Sequence, residues 1–314
     1  GVAIGLSAGN RNQGTGSVAI GQESGYTGQN PQAISLGYQS GYYIQGQYNI
    51  ANTFFNLSTG LNLICFTTIV MGSILYAGGS FTDKGTRIAA YNILTNSWYN
   101  PFGTGLDSQC RGLTSIGNIL YVCGWFTTVS GNSWNRIAAF DTVTNSWFNP
   151  FGTGLNAECY CISTIRNVIY VGGSFTDKGT RIAAFDTLTN TWLSTLGSGV
   201  NNICNALLPI GNMLYASGYF TNQGNFIAVF NTTTNTWSNP FGAGLTGTNC
   251  LSLANIGPML YVGGDFTNQG TRIAAFNTLT NTWSNPFGTG LNASCNALKT
   301  IGTTLYVGGS FTSV

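Results

Sequence analysis

Six of the eight cysteines, Cys65, Cys110, Cys159, Cys204, Cys250 and Cys295, stand just after a recurring Gly-Leu-Asn-like turn. Thiols held in register could ring a soft metal ion. A small apolar side chain copied along with a duplicated unit explains the same pattern by packing alone, and that reading is favoured. Cys123 replaces the first Gly of a Gly-Gly pair and Cys161 takes a small-residue position, so both also read as packing. Equivalent cysteines of neighbouring units are expected to lie too far apart for disulfides. Thiols left unpaired argue against folding through an oxidising route. No metal and no cofactor are expected.

Arg87, Arg136, Arg181 and Arg272 share a second repeated position, filled by Phe226 in one unit. They could form a basic ring for an acidic ligand. The plainer alternative is that each pairs locally with Asp83, Asp177 or Asp265, or lies over an aromatic face. Trp134 is presented by a loop, residues 128–134, longer than its equivalents, and such loops often carry binding residues. Trp125 and Tyr219 replace the Ser of a Gly-Gly-Ser-Phe run and offer aromatic surface to a sugar. These seven residues are the candidate ligand contacts. The chain has no histidine, which removes the commonest general base and His-based metal sites. Asp107, Glu158 and the equivalent pair Asp141 and Asp186 are scattered over different repeat positions. No catalytic residue is nominated, and the chain is not expected to be an enzyme.

What must position these residues follows from composition and repetition. Only 6% of the 314 residues are charged, against about 25% in an ordinary soluble domain. Glycine, at 44 residues, supplies turns, while β-branched and aromatic residues supply strands. That balance predicts an all-β chain. A net charge of +2 gives no field for nucleic acid. No uncharged apolar run reaches the 18 residues that would suggest a membrane-spanning helix.

The phrase Leu75-Tyr76-Ala77-Gly78-Gly79-Ser80-Phe81-Thr82 begins again at Leu120, Ile169, Leu214, Leu260 and Leu305, in steps of 45, 49, 45, 46 and 45 residues. Repeats of that length bury their apolar faces on copies of themselves. Each unit reads as four short strands: the segment after the repeated Cys, the Leu-Tyr-Val-Gly-Gly strand, an Arg-Ile-Ala-Ala-Phe strand and an Asn-Thr-Trp strand. The last occurs at Trp98, Trp147, Trp192, Trp237 and Trp283.

Over residues 60–314 this pattern resembles the kelch repeat, with its hydrophobic strand, diglycine and Thr-x-Thr-Asn-x-Trp tail, as in Thr187-Leu188-Thr189-Asn190-Thr191-Trp192. The resemblance implies a β-propeller of four-stranded blades. The diglycine phrase occurs six times and the outer two strands five times, which favours six blades, with seven left open. A strand near 52–56, similar to Asn281-Thr282-Trp283-Ser284-Asn285, is expected to close the ring from the N-terminal side. The propeller is assigned to residues 49–314.

Residues 1–48 keep a different period. Ala3-Ile4-Gly5, Ala19-Ile20-Gly21 and Ser35-Leu36-Gly37 lie 16 residues apart. This resembles the head repeats of trimeric autotransporter adhesins (YadA-like), also seen in surface-fibre proteins of large DNA viruses. The resemblance implies a short parallel β-roll that assembles as a trimer. Both chain ends read as cuts in a longer polypeptide. The expectation is a structural, adhesive fibre protein at a virion, extracellular or cell surface, with a propeller head that binds a host glycan or protein. An intracellular kelch-type interaction module is the alternative.

Overall fold

The computed structural model describes residues 2–4, 18–20, 34–36, 50–52, 60–194 and 196–313. Every regular element among them is a β-strand, as the composition predicts. Among these residues no helix is long and apolar enough to cross a membrane.

Four three-residue strands, β1 (Val2–Ile4), β2 (Val18–Ile20), β3 (Ile34–Leu36) and β4 (Ile50–Asn52), form one parallel sheet in that order. Val2 lies opposite Val18, Val18 opposite Ile34, and Ile34 opposite Ile50. The pairing register is therefore the 16-residue period read from the sequence. The sheet runs on past residue 48 to Asn52, the first residue of the segment expected to close a ring. Residues 53–56 of that segment lie outside the described residues.

The remainder is antiparallel. In the first unit β5 (Cys65–Met71), β6 (Ile74–Gly79), β7 (Ile88–Asn92) and β8 (Ser97–Tyr99) pair in chain order. The same meander recurs over residues 110–148, 159–193, 204–238 and 247–284, and a sixth, two-stranded sheet spans Cys295–Ile301 and Thr304–Gly309. The structure is thus all-β and propeller-like. Turn chemistry explains the regularity. Asn96, Asn145, Asn190, Asn235 and Asn281 all hold φ between 51° and 55°, a left-handed conformation that Asn tolerates better than most residues. At the start of each of these turns an Asp or Asn side chain accepts the N–H two residues on, as Asp186 does from Leu188 at 2.9 Å.

The core lies between consecutive sheets, not within any one of them. One cluster joins Tyr76, Ile88 and Ala90 of the first sheet to Leu113, Leu120, Val122 and Phe140 of the second, and equivalent clusters bridge each later pair. Phe102, Phe151, Leu196 and Phe241, each in the loop leaving one sheet, are buried against the next. The repeated Trp locks the same joint: Trp147 Nε1 donates to Phe102 O at 3.0 Å, Trp237 Nε1 to Leu196 O at 3.0 Å and Trp283 Nε1 to Phe241 O at 3.1 Å.

The repeated cysteines fill the inner part of these joints. Cys110, Cys159, Cys204, Cys250 and Cys295 are buried, while Cys65 on the first sheet is exposed. Each buried thiol faces a cross-strand pair on the preceding sheet: Thr67 with Gly78, Gly112 with Cys123, Cys161 with Gly172, Ala206 with Ser217, or Ser252 with Gly263. A Cβ on Gly78 would come within 2.3 Å of Cys110 Sγ, and one on Gly172 within 2.7 Å of both Cys161 Sγ and Cys204 Sγ. One member of each pair is therefore kept at Gly or Ala, which offsets the bulk of the other. Gly308 of the sixth sheet meets no thiol, so this particular contact is not repeated between the sixth sheet and the first.

Candidate ligand-binding site

A cavity of about 720 Å³ is lined by the inner strands of the six repeated antiparallel sheets. Its geometry comes from an irregularity repeated in every sheet. Cys65 pairs with Gly79 and Thr67 with Gly78, so Phe66 between them is a bulged residue with no opposite number. The same bulge falls at Arg111, Tyr160, Asn205, Leu251 and Asn296. A β-bulge re-aims the extra side chain, and all six of these residues line the cavity. The scaffold around them is nearly invariant, with Ile-Ala-Ala-Phe and its close variants on every complete third strand. At the bulge the six units carry five different residue types.

Arg111 dominates this ring. Its guanidinium carbon lies 4.1 Å from the centre of the Phe66 ring, 5.3 Å from that of Trp125 and 5.8 Å from that of Tyr160. Trp125 and Tyr160 also meet edge to face at 5.8 Å. Such cation–π contacts fix the guanidinium without neutralising it. Its Nη1 also makes a long contact to Gln109 Oε1 at 3.5 Å. Among the described residues no carboxylate forms an ion pair with Arg111. Burial pulls its pKa down from the ordinary value.

The rim beside the bulges is built by two further repeated positions. The residue after each diglycine bonds back to the residue before the Cys, as Trp125 N does to Gln109 O at 3.0 Å and Tyr219 N to Ile203 O at 2.9 Å. Two acidic groups sit on this rim and are engaged. Glu158 accepts from Ser174 Oγ at 2.7 Å, a bond that leads the lowering of its pKa. Asp265 accepts from Ser294 Oγ at 2.6 Å and pairs with Arg272 at 3.6 Å.

The seven candidates from the sequence separate. Trp125 joins the Arg111 cluster. Tyr219 stands on the rim, 37% exposed, and its hydroxyl takes a 3.5 Å contact from Asn249 Nδ2. Arg87, Arg136 and Arg181 do not meet as a ring. Each donates from Nη1 to a nearby carbonyl, of Ser80, Trp125 and Ser174 respectively, and each holds φ near +67°. Asp83 and Asp177 pair instead with the adjacent Lys84 and Lys178. Arg272 donates to Leu291 O at 2.8 Å and keeps the expected partner Asp265. Trp134 is half-buried against the core beside the short hairpin Thr128–Val129 and Asn132–Ser133, away from the cavity.

Sequence reasoning missed Phe66, Arg111, Tyr160, Asn205 and Asn296. A signal was present, because the residues flanking the constant Cys change from unit to unit while the third and fourth strands stay nearly fixed. Its meaning depends on the bulge, which the residue pattern does not display. Among the described residues no group of three or more metal-ligating side chains converges.

No family model matches the chain, and no curated protein matches it. Among solved structures, the computationally designed Ika8 protein is similar at 14% identity with a TM-score of 0.48, covering 77% of this chain and 80% of that one. The computationally designed Ika4 protein is similar at 18% identity with a TM-score of 0.41, covering 55% of this chain and 94% of that one. Both likenesses are too low to carry any inference about this chain.

Proposed function

We propose that this chain is a structural and adhesive surface-fibre protein: a six-bladed, kelch-like propeller head on a trimeric YadA-like β-roll, displayed on a virion or cell surface. The observation that carries the reading is the bulge ring. Six near-copies of one unit surround a single cavity and diversify at the bulge and the position after it, both of which contribute to the cavity lining, which is how a duplicated scaffold acquires a ligand site. The head accordingly binds a glycan or a protein at that cavity mouth. Six inner strands around one cavity support the six-blade count. The 16-residue parallel register of β1 to β4 supports the roll. Three-residue strands make too small a sheet to stand alone, so assembly with other copies is its natural support. The virion setting rests on the resemblance of the 16-residue repeats to viral fibre proteins.

A second reading, an intracellular kelch-type interaction module, draws support from eight unpaired thiols, which suit a reducing compartment. The test is binding of the fluorescently labelled full chain to immobilised glycans and to intact cells. The adhesive reading expects saturable capture on at least one of these surfaces. Absence of capture on both, together with a monomeric chain, would favour the intracellular module.

A further inference from the structure

We infer that the central cavity binds a small acidic saccharide, with its carboxylate on Arg111 and its hydroxyl oxygens on the asparagine side chains of the same bulge ring. The inference rests on reading the molecule as a binding head and names that head's ligand class.

The first support is charge. Arg111 is half-buried, lines the cavity and has no anionic partner among the described residues. Partial desolvation of an unpaired cation is unfavourable, and a bound carboxylate relieves it. The two rim acids form no ion pair with it: Glu158 accepts from Ser174, and Asp265 accepts from Ser294 and pairs with Arg272. Phe66, Trp125 and Tyr160 restrain the guanidinium, so little rotamer freedom is left to lose when a carboxylate docks.

The second support is the balance of donors and acceptors. Asn205 lines the cavity, and its Nδ2 is buried with no acceptor; Trp125, which packs against Arg111 but is not part of the lining, also has a buried Nε1 without one. Buried donors normally find acceptors. A site with an unpaired cation and orphaned N–H groups calls for a ligand rich in oxygen. Asn296 adds another carboxamide to the lining, while Leu113, Ile162 and Leu253 add apolar surface for C–H faces. The volume falls within the range of small-molecule sites. Extended peptides are instead recognised along free strand edges or open grooves.

The test is calorimetric titration of the full chain with D-glucuronate and N-acetylneuraminate, beside D-glucose and acetate, with Trp fluorescence as a second readout. The acidic sugars are expected to bind and to perturb the emission, glucose and acetate to bind far more weakly. Arg111→Gln should weaken acidic-sugar binding by at least about ten-fold. Asn205→Ala should weaken it by a few-fold, and Lys178→Gln, outside the cavity, should leave it unchanged. If Arg111→Gln does not fold, Arg111→Lys carries the same test, because it keeps the charge and loses the planar fork. Equal binding of glucose, equal binding of acetate, or full affinity in the Arg111 variant would each overturn the inference. If cells are captured while no sugar of either kind binds, the saccharide assignment falls and the head reading survives with a protein ligand.

Discussion

The residue that most defines the joints is a buried thiol. Burial pushes the Cys250 thiol up to about 12 and the Cys295 thiol up to about 11, from an ordinary value near 9, and pushes Cys110 higher still. In both Cys123 and Cys161 burial is the leading cause of the rise, reinforced by a neighbouring thiol, Cys159 and Cys204 respectively. The sign follows directly. The unfolded chain ionises its thiols near pH 9 while the folded chain holds them neutral, so this contribution to stability is intact below pH 9 and is lost as pH rises toward 12. Buried Tyr76, raised to about 12 from 10, acts in the same direction. Denaturant midpoints should therefore be level from pH 7 to 8.5 and fall steeply by pH 10.5. A midpoint unchanged at pH 10.5 would mean that the thiols are not buried at the joints. The sequence showed these cysteines to be equivalent and assigned them to packing. It could not show that Cys123 and Cys161 meet the next sheet's cysteine, because that contact depends on how consecutive sheets face each other. Nor could it show that Arg87 and Arg181 would bond to carbonyls and not to Asp83 and Asp177, since the left-handed backbone at each Arg sets where its side chain begins.

At the scale of elements, stability resides in the wedge between sheets. Phe151 is buried, with its ring centre 4.7 Å from that of Phe185 and 6.0 Å from that of Trp192, while Phe287 at the equivalent place in the last joint is only half-buried. Phe151→Ala should cost about 3–5 kcal/mol by removing a fully packed ring. Phe287→Ala should cost roughly 1–2 kcal/mol, since less area leaves water there on folding. Urea denaturation of the two variants checks this, and equal losses would contradict the account of the joint. Much at this scale was legible beforehand. The Gly-Gly phrase, the Ile-Ala-Ala-Phe strand and the Asn-Thr-Trp strand each appear as a separate strand, because alternation and turn residues mark strand ends locally. The bulge at Phe66, Arg111, Tyr160, Asn205, Leu251 and Asn296 was not legible. It is a property of register between two strands, and neither strand's own sequence records it.

At the scale of the whole molecule two periods meet in one chain, about 45 residues in the antiparallel sheets and 16 in the parallel one. The longer period surrounds a cavity; the shorter one lays strands side by side in a parallel sheet. A unit that binds and a unit that assembles is the division of labour the proposal requires, and assembly is the part on which the fibre reading depends. The most direct measurement is the solution mass of the full chain by multi-angle light scattering across a range of concentrations. The account predicts a trimer, about three times the 33.2 kDa of one chain, with no dependence on dilution into the micromolar range. A mass of 33.2 kDa at every concentration would contradict it and leave the antiparallel unit as a lone binding module.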